Sequence, residues 1–150
     1  MDAQLTYQAT AFWALHHRGV VKADSDNPYI LDFTTPPEFG GEARLWTPQH
    51  FLLAALASDY VATFRELARN SHLEFQVIET TVVGHIDDQP GGRRFTRIMI
   101  RPELTLCREE DRHRGHFLLA KAERSSMVAH SLASSIAVEE KIEFEEPALV

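Results

Sequence analysis

The stretch FLLAALASDYVATFRELA, residues 51–68, is apolar nearly all round for two turns and then presents a carboxylate, Asp59, directly before Tyr60, Val61 and Phe64. A charge among leucine and alanine is costly unless it is solvated, paired or protonated. On a wheel of 100° per residue Asp59 falls about 80–90° from the centre of the apolar stripe, between the directions of Leu52 and Glu66. It reads either as a flank residue reaching water or an arginine, or as a pocket residue ion-paired with Arg18. Ser126 and His130 stand four apart and would share one helix face. With Asp59 opposite they would form a Ser-His-Asp set, whose chemistry is acyl transfer. No nucleophile elbow or oxyanion loop accompanies them.

Eight histidines invite a metal reading. His16 and His17 are adjacent and poorly placed to share an ion from a strand. His113 and His116 sit in the charged segment RHRGH, and Asp59, His50 and His130 would have to converge from separate segments. None of these spacings matches a closed zinc pattern, so no metal and no cofactor is expected. The single cysteine, Cys107, excludes an intrachain disulfide and a cysteine-based zinc site. Gly40 and Gly41 read as turn glycines rather than a phosphate cradle, because no strand runs through them into a helix.

These residues need elements to position them. A chain of 150 residues with 44% hydrophobic content supports a single domain with a real core. The formal charge of −7 argues against a general nucleic-acid binder. No apolar run approaches the ~18–20 residues that span a bilayer. MDAQLTYQAT has neither the basic start nor the apolar stretch of a signal peptide, and a cytoplasmic protein is expected.

LTYQATAFW, GVVKA and YILDF read as strands, the last two flanking the turn-forming DSDNP. TTPPEFGGEARLW is an irregular connector. Thr47 suits an N-cap and Pro48 the first helical position, opening a helix whose stripe is Leu52, Leu53, Leu56, Tyr60, Phe64 and Leu67 and which ends at ARNSH. FQVIETTVVGHID and RFTRIMIRPELTL read as two strands joined by DQPGG. In the second, Ile98, Ile100, Leu104 and Leu106 alternate with polar or exposed positions, as in an antiparallel sheet with one buried face. EEDR opens a second helix, its acids favourable at the positive end of the dipole, with a stripe of Leu118, Leu119, Ala122, Ser125, Ser126 and Ala129. SIAVEEKIEF reads as one closing strand. The expected class is α+β, with antiparallel sheets covering two helices.

Three stretches in this order resemble the OsmC/Ohr family of thiol-dependent hydroperoxide reductases. PPEFGGEARLWTPQHFLLAALASDY is similar to that family's Gly-rich connector and N/T-P-E-x-L-x-A-A-x-x-A-x-C-F helix start. FTRIMIRPELTL matches its strand after a Gly-containing turn, and AKAERSSMVAHSL its A-E-K/R-x-C-x-x-S-N-x-L segment. The resemblance runs from about residue 7 to 144. It implies an OsmC-like fold and an intertwined homodimer whose sheets wrap two central helices, with the sites near the interface. It also implies a chemistry of two cysteines. A peroxidatic thiolate on the first helix becomes a sulfenate, and a resolving cysteine on the second closes a disulfide. An N-terminal arginine lowers the thiol pKa, and a glutamate at the first helix's start holds that arginine.

On those motifs the peroxidatic position falls on Asp59, the resolving position on Ser126, the glutamate on Gln49 and the usual asparagine on His130. Arg18, in HHRGVV, is the candidate for the arginine. A carboxylate and a hydroxyl cannot cycle through sulfenate and disulfide. The resemblance therefore implies an inherited fold without thiol peroxidase activity, related to proteins of the oxidative and osmotic stress response. An interfacial pocket for a small, partly apolar ligand is expected, with His130, His50 and Tyr60 as pocket candidates. Trp13, Trp46 and Tyr60 read as core or dimer-interface aromatics, or as the walls of that pocket. The alternatives are a repurposed hydrolase-like or metal-assisted enzyme using Asp59, Ser126 and His130, and a purely structural dimer.

Overall fold

Alternating aromatic and β-branched residues in the first third of the chain form three short strands, β1 (Thr10–Trp13), β2 (Gly19–Lys22) and β3 (Ile30–Phe33). They pair as an antiparallel meander, with Thr10 opposite Lys22 and Gly19 opposite Phe33. The computed structural model describes residues 4–14, 18–24 and 26–146, so the His16–His17 pair lies outside the described residues. The chain divides into two units, Met1–Leu52 and Leu53–Val150.

In the first unit the connector is pinned by backbone N–H groups donating to a carbonyl and a hydroxyl rather than by regular structure. Thr34 N–H donates to the Trp46 carbonyl at 2.8 Å, and Glu42 N–H donates to the buried Thr34 hydroxyl at 3.1 Å. Pro37–Phe39 makes one 3-10 turn, closed by Gly40 at φ 84, in the left-handed region that favours glycine. At Gly41 a Cβ would lie 1.6 Å from the Thr35 carbonyl oxygen, so only glycine lets the two backbones pass. The pair are turn and close-approach glycines.

The first helix, α1 (Pro48–Asn70), begins as its sequence requires. His50 N–H donates to Thr47 Oγ1 at 3.3 Å, and Thr47 N–H donates to His50 Nδ1 at 3.2 Å. This is a reciprocal capping box in which an imidazole takes the place of the usual Glu or Gln. Phe51 stacks on Trp46 with centroids 5.4 Å apart.

In the second unit Leu56, Tyr60, Phe64 and Ala68 form the fully buried row of α1, with Leu53 and Leu67 packed partly against them. Strands β4 (Phe75–Gln89) and β5 (Gly92–Leu106) form a long antiparallel hairpin. On β5 the expected alternation holds, Ile98, Ile100, Leu104 and Leu106 facing inward. Helix α2 (Arg112–Ser125) lays Leu118, Leu119 and Ala122 on this core, and a single turn, α3 (Met127–His130), follows.

Three sequence readings need correction. The last segment is two strands, β6 (Ser135–Val138) and β7 (Lys141–Phe144), parted at Glu139–Glu140. Both run parallel to β5, so the sheet is mixed rather than wholly antiparallel. The intervening helices supply the crossover that parallel pairing needs. The second helix does not continue through Ser126, and Ser125, expected on its inner face, is exposed.

Tyr60 is 0% exposed, which makes it a core residue and not a pocket wall. Its hydroxyl donates to the Leu119 carbonyl at 2.8 Å, tying α1 to α2. Burial first, and then the charges of Glu140 and Glu123, push the phenol's pKa above its ordinary value and keep it a neutral donor. Tyr60→Phe is expected to cost about 1 kcal/mol in urea unfolding, the net worth of one such bond.

Candidate functional site

Ser125–Ser126 is where α2 stops. Serine offers the backbone a side-chain partner that competes with the helical ladder. At Ser126 the chain turns extended, with φ −71 and ψ 119, and its hydroxyl becomes the N-cap of α3. Ser126 Oγ accepts from Ala129 N–H at 3.1 Å and donates its own proton to Asp59 Oδ2. The same carboxylate oxygen accepts from Val128 N–H at 3.2 Å. Asp59 and Ser126 thus share the capping of one helical turn, satisfying two N–H groups that would otherwise be orphaned. Ser126 is 0% exposed and Asp59 half-buried. The two positions that the motifs align with reactive sulfurs touch each other, and they hold a carboxylate and a hydroxyl.

The break leaves Ser126 and His130 on the same turn, with His130 N–H donating to the Ser126 carbonyl at 3.1 Å. The expected one-turn spacing holds, but the Ser126 side chain is buried whereas His130 is exposed at the end of α3. Ser126's hydroxyl has Asp59 and the Ala129 N–H as partners, and it is out of reach of solvent. That arrangement does not present a nucleophile to a substrate.

Arg18 is held in the first unit by a forked ion pair. Its Nε donates to Glu42 Oε2 at 3.0 Å and its Nη2 to Glu42 Oε1 at 2.8 Å, with Asp32 at 3.6 Å from Nη1. Hydrogen bonding to Glu42 and that acid's charge raise the guanidinium's pKa still further. The acid that fixes Arg18 is therefore Glu42 in the connector, and not a residue at position 49. Gln49 leaves its amide oxygen buried without a hydrogen-bond partner. Nothing in the motif comparison singled out Glu42; its place in the Gly-Gly-Glu turn was the only signal.

His50 lines a cleft of about 380 Å³ between the connector and the first turn of α1, together with Glu42, Arg44, Leu45 and Trp46. Arg44 was missed by sequence reasoning, and it stands at φ 69, a left-handed conformation uncommon for a side chain of its size. Neither His130 nor Tyr60 lines this cleft. A second groove, of about 540 Å³, follows the outer side of α1 past Ala54, Ala57, Val61, Ala62 and Arg65 to Thr80. Cys107 follows the end of β5 and is half-buried. Among the described residues no three His, Cys, Asp or Glu side chains are grouped to hold a metal ion, and no helix is long and apolar enough to cross a membrane.

Comparison with known proteins identifies the fold and the family. An uncharacterised Bacillus subtilis protein, YmaD, is 26% identical over 129 residues, covering 84% of this chain and 85% of its own. An OsmC-like protein from Vibrio cholerae superposes with a TM-score of 0.81 at 14% identity, covering 91% of this chain and 99% of that one. An organic hydroperoxide resistance protein OsmC from Legionella pneumophila gives 0.73 at 20% identity, over 95% and 99%. One from Elizabethkingia anophelis gives 0.74 at 16%, over 97% and 100%. The structures fix the fold as OsmC-like. The family model described as OsmC-like protein matches residues 40–141, the connector, α1, the hairpin and the capped break alike, and the chain belongs to the OsmC-like family.

Proposed function

We propose that this chain is a non-peroxidatic member of its family: a homodimer, one OsmC-like domain per chain, that binds a small, partly apolar molecule and does not reduce hydroperoxides through thiols. The observation that carries the reading is the Asp59–Ser126 contact. Peroxide reduction of the family type needs a thiolate that loses two electrons and a second thiol that closes the disulfide. Here both positions are occupied by oxygen ligands already committed to backbone N–H groups. Cys107 lies at the end of β5, outside both motifs.

The test is reduction of tert-butyl hydroperoxide with dithiothreitol or dihydrolipoamide as electron donor. Wild type and Cys107→Ser are both expected to match the rate without protein. Turnover that survives Cys107→Ser overturns the reading, and turnover abolished by that substitution overturns it by assigning the chemistry to Cys107.

The dimer is supported by apolar surface that a single chain leaves open. Phe12, Trp13, Ile30 and Leu31 of the three-stranded sheet, and Tyr29 just before β3, are 46–80% exposed. A sheet of four-residue strands with aromatic residues on its surface is not independently stable without a cover. The groove on the outer side of α1 is walled by small residues that allow close helix approach. Light scattering after size exclusion should give twice the 17.0 kDa chain mass; a monomer at micromolar concentration refutes the dimer.

A further inference from the structure

We infer that the cleft between the connector and the first turn of α1 is a binding site for a small planar organic anion, an aryl carboxylate, with Arg44 as its charge partner and Trp46 as its wall. The inference deepens the reading of the chain as a small-molecule binder and gives that reading a place and a ligand class.

The cleft has the size of a small-molecule site, about 380 Å³. Its two ends differ in chemistry. Leu45, Pro37 and the Trp46 indole make the apolar part. One face of that indole is taken by Phe51, stacked at 5.4 Å with planes 8° apart, while the residue remains 42% exposed. A planar ring can therefore lie against the open side of an aromatic that is already fixed in place.

The polar end carries donors. Arg44 makes no hydrogen bond or ion pair with any described residue, whereas Arg18, also in this unit, is fully engaged by Glu42. Glu42 is the acid of the cleft, and its carboxylate is held by Arg18 in that fork. His50 contributes a second donor. Its Nδ1 is committed to Thr47 through the capping box, which assigns the ring proton to Nε2 in the neutral imidazole. A guanidinium and an imidazole N–H beside a flat apolar wall match a carboxylate joined to a ring.

The backbone at Arg44 adds an argument independent of the cavity. A left-handed φ of 69 is costly for arginine, and glycine would hold the same turn without strain. An arginine held at that φ stores backbone strain, and such strain is found at functional positions.

The test uses 2-naphthoate as probe, with uncharged 2-naphthalenemethanol as control. Binding to the intact protein is followed by calorimetry and by quenching of indole fluorescence. Naphthoate is expected to bind the wild type at least about tenfold more tightly than the alcohol, the effect of one well-placed charge-assisted contact. Arg44→Gly is expected to remove that preference while unfolding at the same or a higher urea concentration. Trp46→Leu is expected to weaken both probes. A protein that does not bind naphthoate at millimolar concentration overturns the site, as does one in which Arg44→Gly binds it as well as wild type. Those failures leave the hydroperoxide result untouched, because that assay reads Asp59, Ser126 and Cys107 rather than the cleft.

Discussion

Asp59→Ala is expected to lower unfolding stability by about 3 kcal/mol, a large fraction of the 5–15 kcal/mol that holds a domain of this size together. The substitution removes two bonds from one oxygen, the Ser126 hydroxyl and the Val128 N–H. What it leaves behind matters more. Ser126 has no exposure to water, so its hydroxyl loses its acceptor and gains none. A buried donor left unpaired costs about 1–3 kcal/mol, beyond the modest net worth of the bond itself. Ser126→Ala is expected to cost less, about 1 kcal/mol, since it deletes the N-cap of α3 but leaves Asp59 with Val128. The two substitutions share a contact and should not add; a double-mutant cycle in urea is expected to return a coupling of about 1–2 kcal/mol. Asp59→Ala within about 0.5 kcal/mol of wild type would mean that the pair is not a structural tie, and a variant more stable than wild type would mark Asp59 as held for function.

Acid should weaken the fold through Asp111, and Asp111→Asn should remove about 2 kcal/mol at neutral pH, the scale of hydrogen bonds to a charged group. Asp111 sits in the acidic turn before α2 and is only 4% exposed. Arg114 donates to one carboxylate oxygen and Arg108 Nε to the other at 3.0 Å. Arg114 also reaches the Ser71 carbonyl at 2.8 Å, so the carboxylate orders a side chain that joins the start of α2 to the end of α1. The hydrogen bond from Arg114 holds the Asp111 pKa below its ordinary value; burial opposes this, and the charge of Arg108 adds to it. The sign follows from the depressed value. Above the ordinary aspartate range the group is ionised in both states and its stabilisation is complete. As pH falls below that range the unfolded chain takes up the proton first, and the stabilisation is lost as pH passes through the folded-state pKa. Both arginines are half exposed, so the effect is smaller than for a sealed pair and weakens with salt. Thermal unfolding across the acid range should show a shallower decline for Asp111→Asn than for wild type. Parallel curves would rule the contribution out.

The sequence determined the elements whose signals are local, though not the break at Ser126 or the split of the closing strand. Periodicity in the strand that ends RPELTL, the Thr-Pro start of α1 and the breakers in PPEFGG are local properties, set by side-chain alternation, capping and backbone sterics, and each came out in the fold as its residues dictate. Sequence also placed Asp59 and Ser126 at two positions of one motif set. It did not reveal that they touch, because that contact joins residues 67 apart and depends on a helix that breaks at Ser126. The signal was present as two serines on a supposed core face, but a serine there reads equally as a tolerated small residue. Only packing decides whether its hydroxyl points back to cap a turn. Pairing was undecided for the same reason: the final strands run parallel because the helices between them return the chain to the end where β5 began. Arg18 was recognisable as a cation, yet its partner is Glu42 and not the residue at position 49, since an ion pair goes to whichever acid the folded connector brings within reach. Arg44 was silent in the sequence altogether. Its left-handed backbone and the open indole beside it belong to the folded connector, where Glu42 N–H meets Thr34 and Gly41 passes close to Thr35.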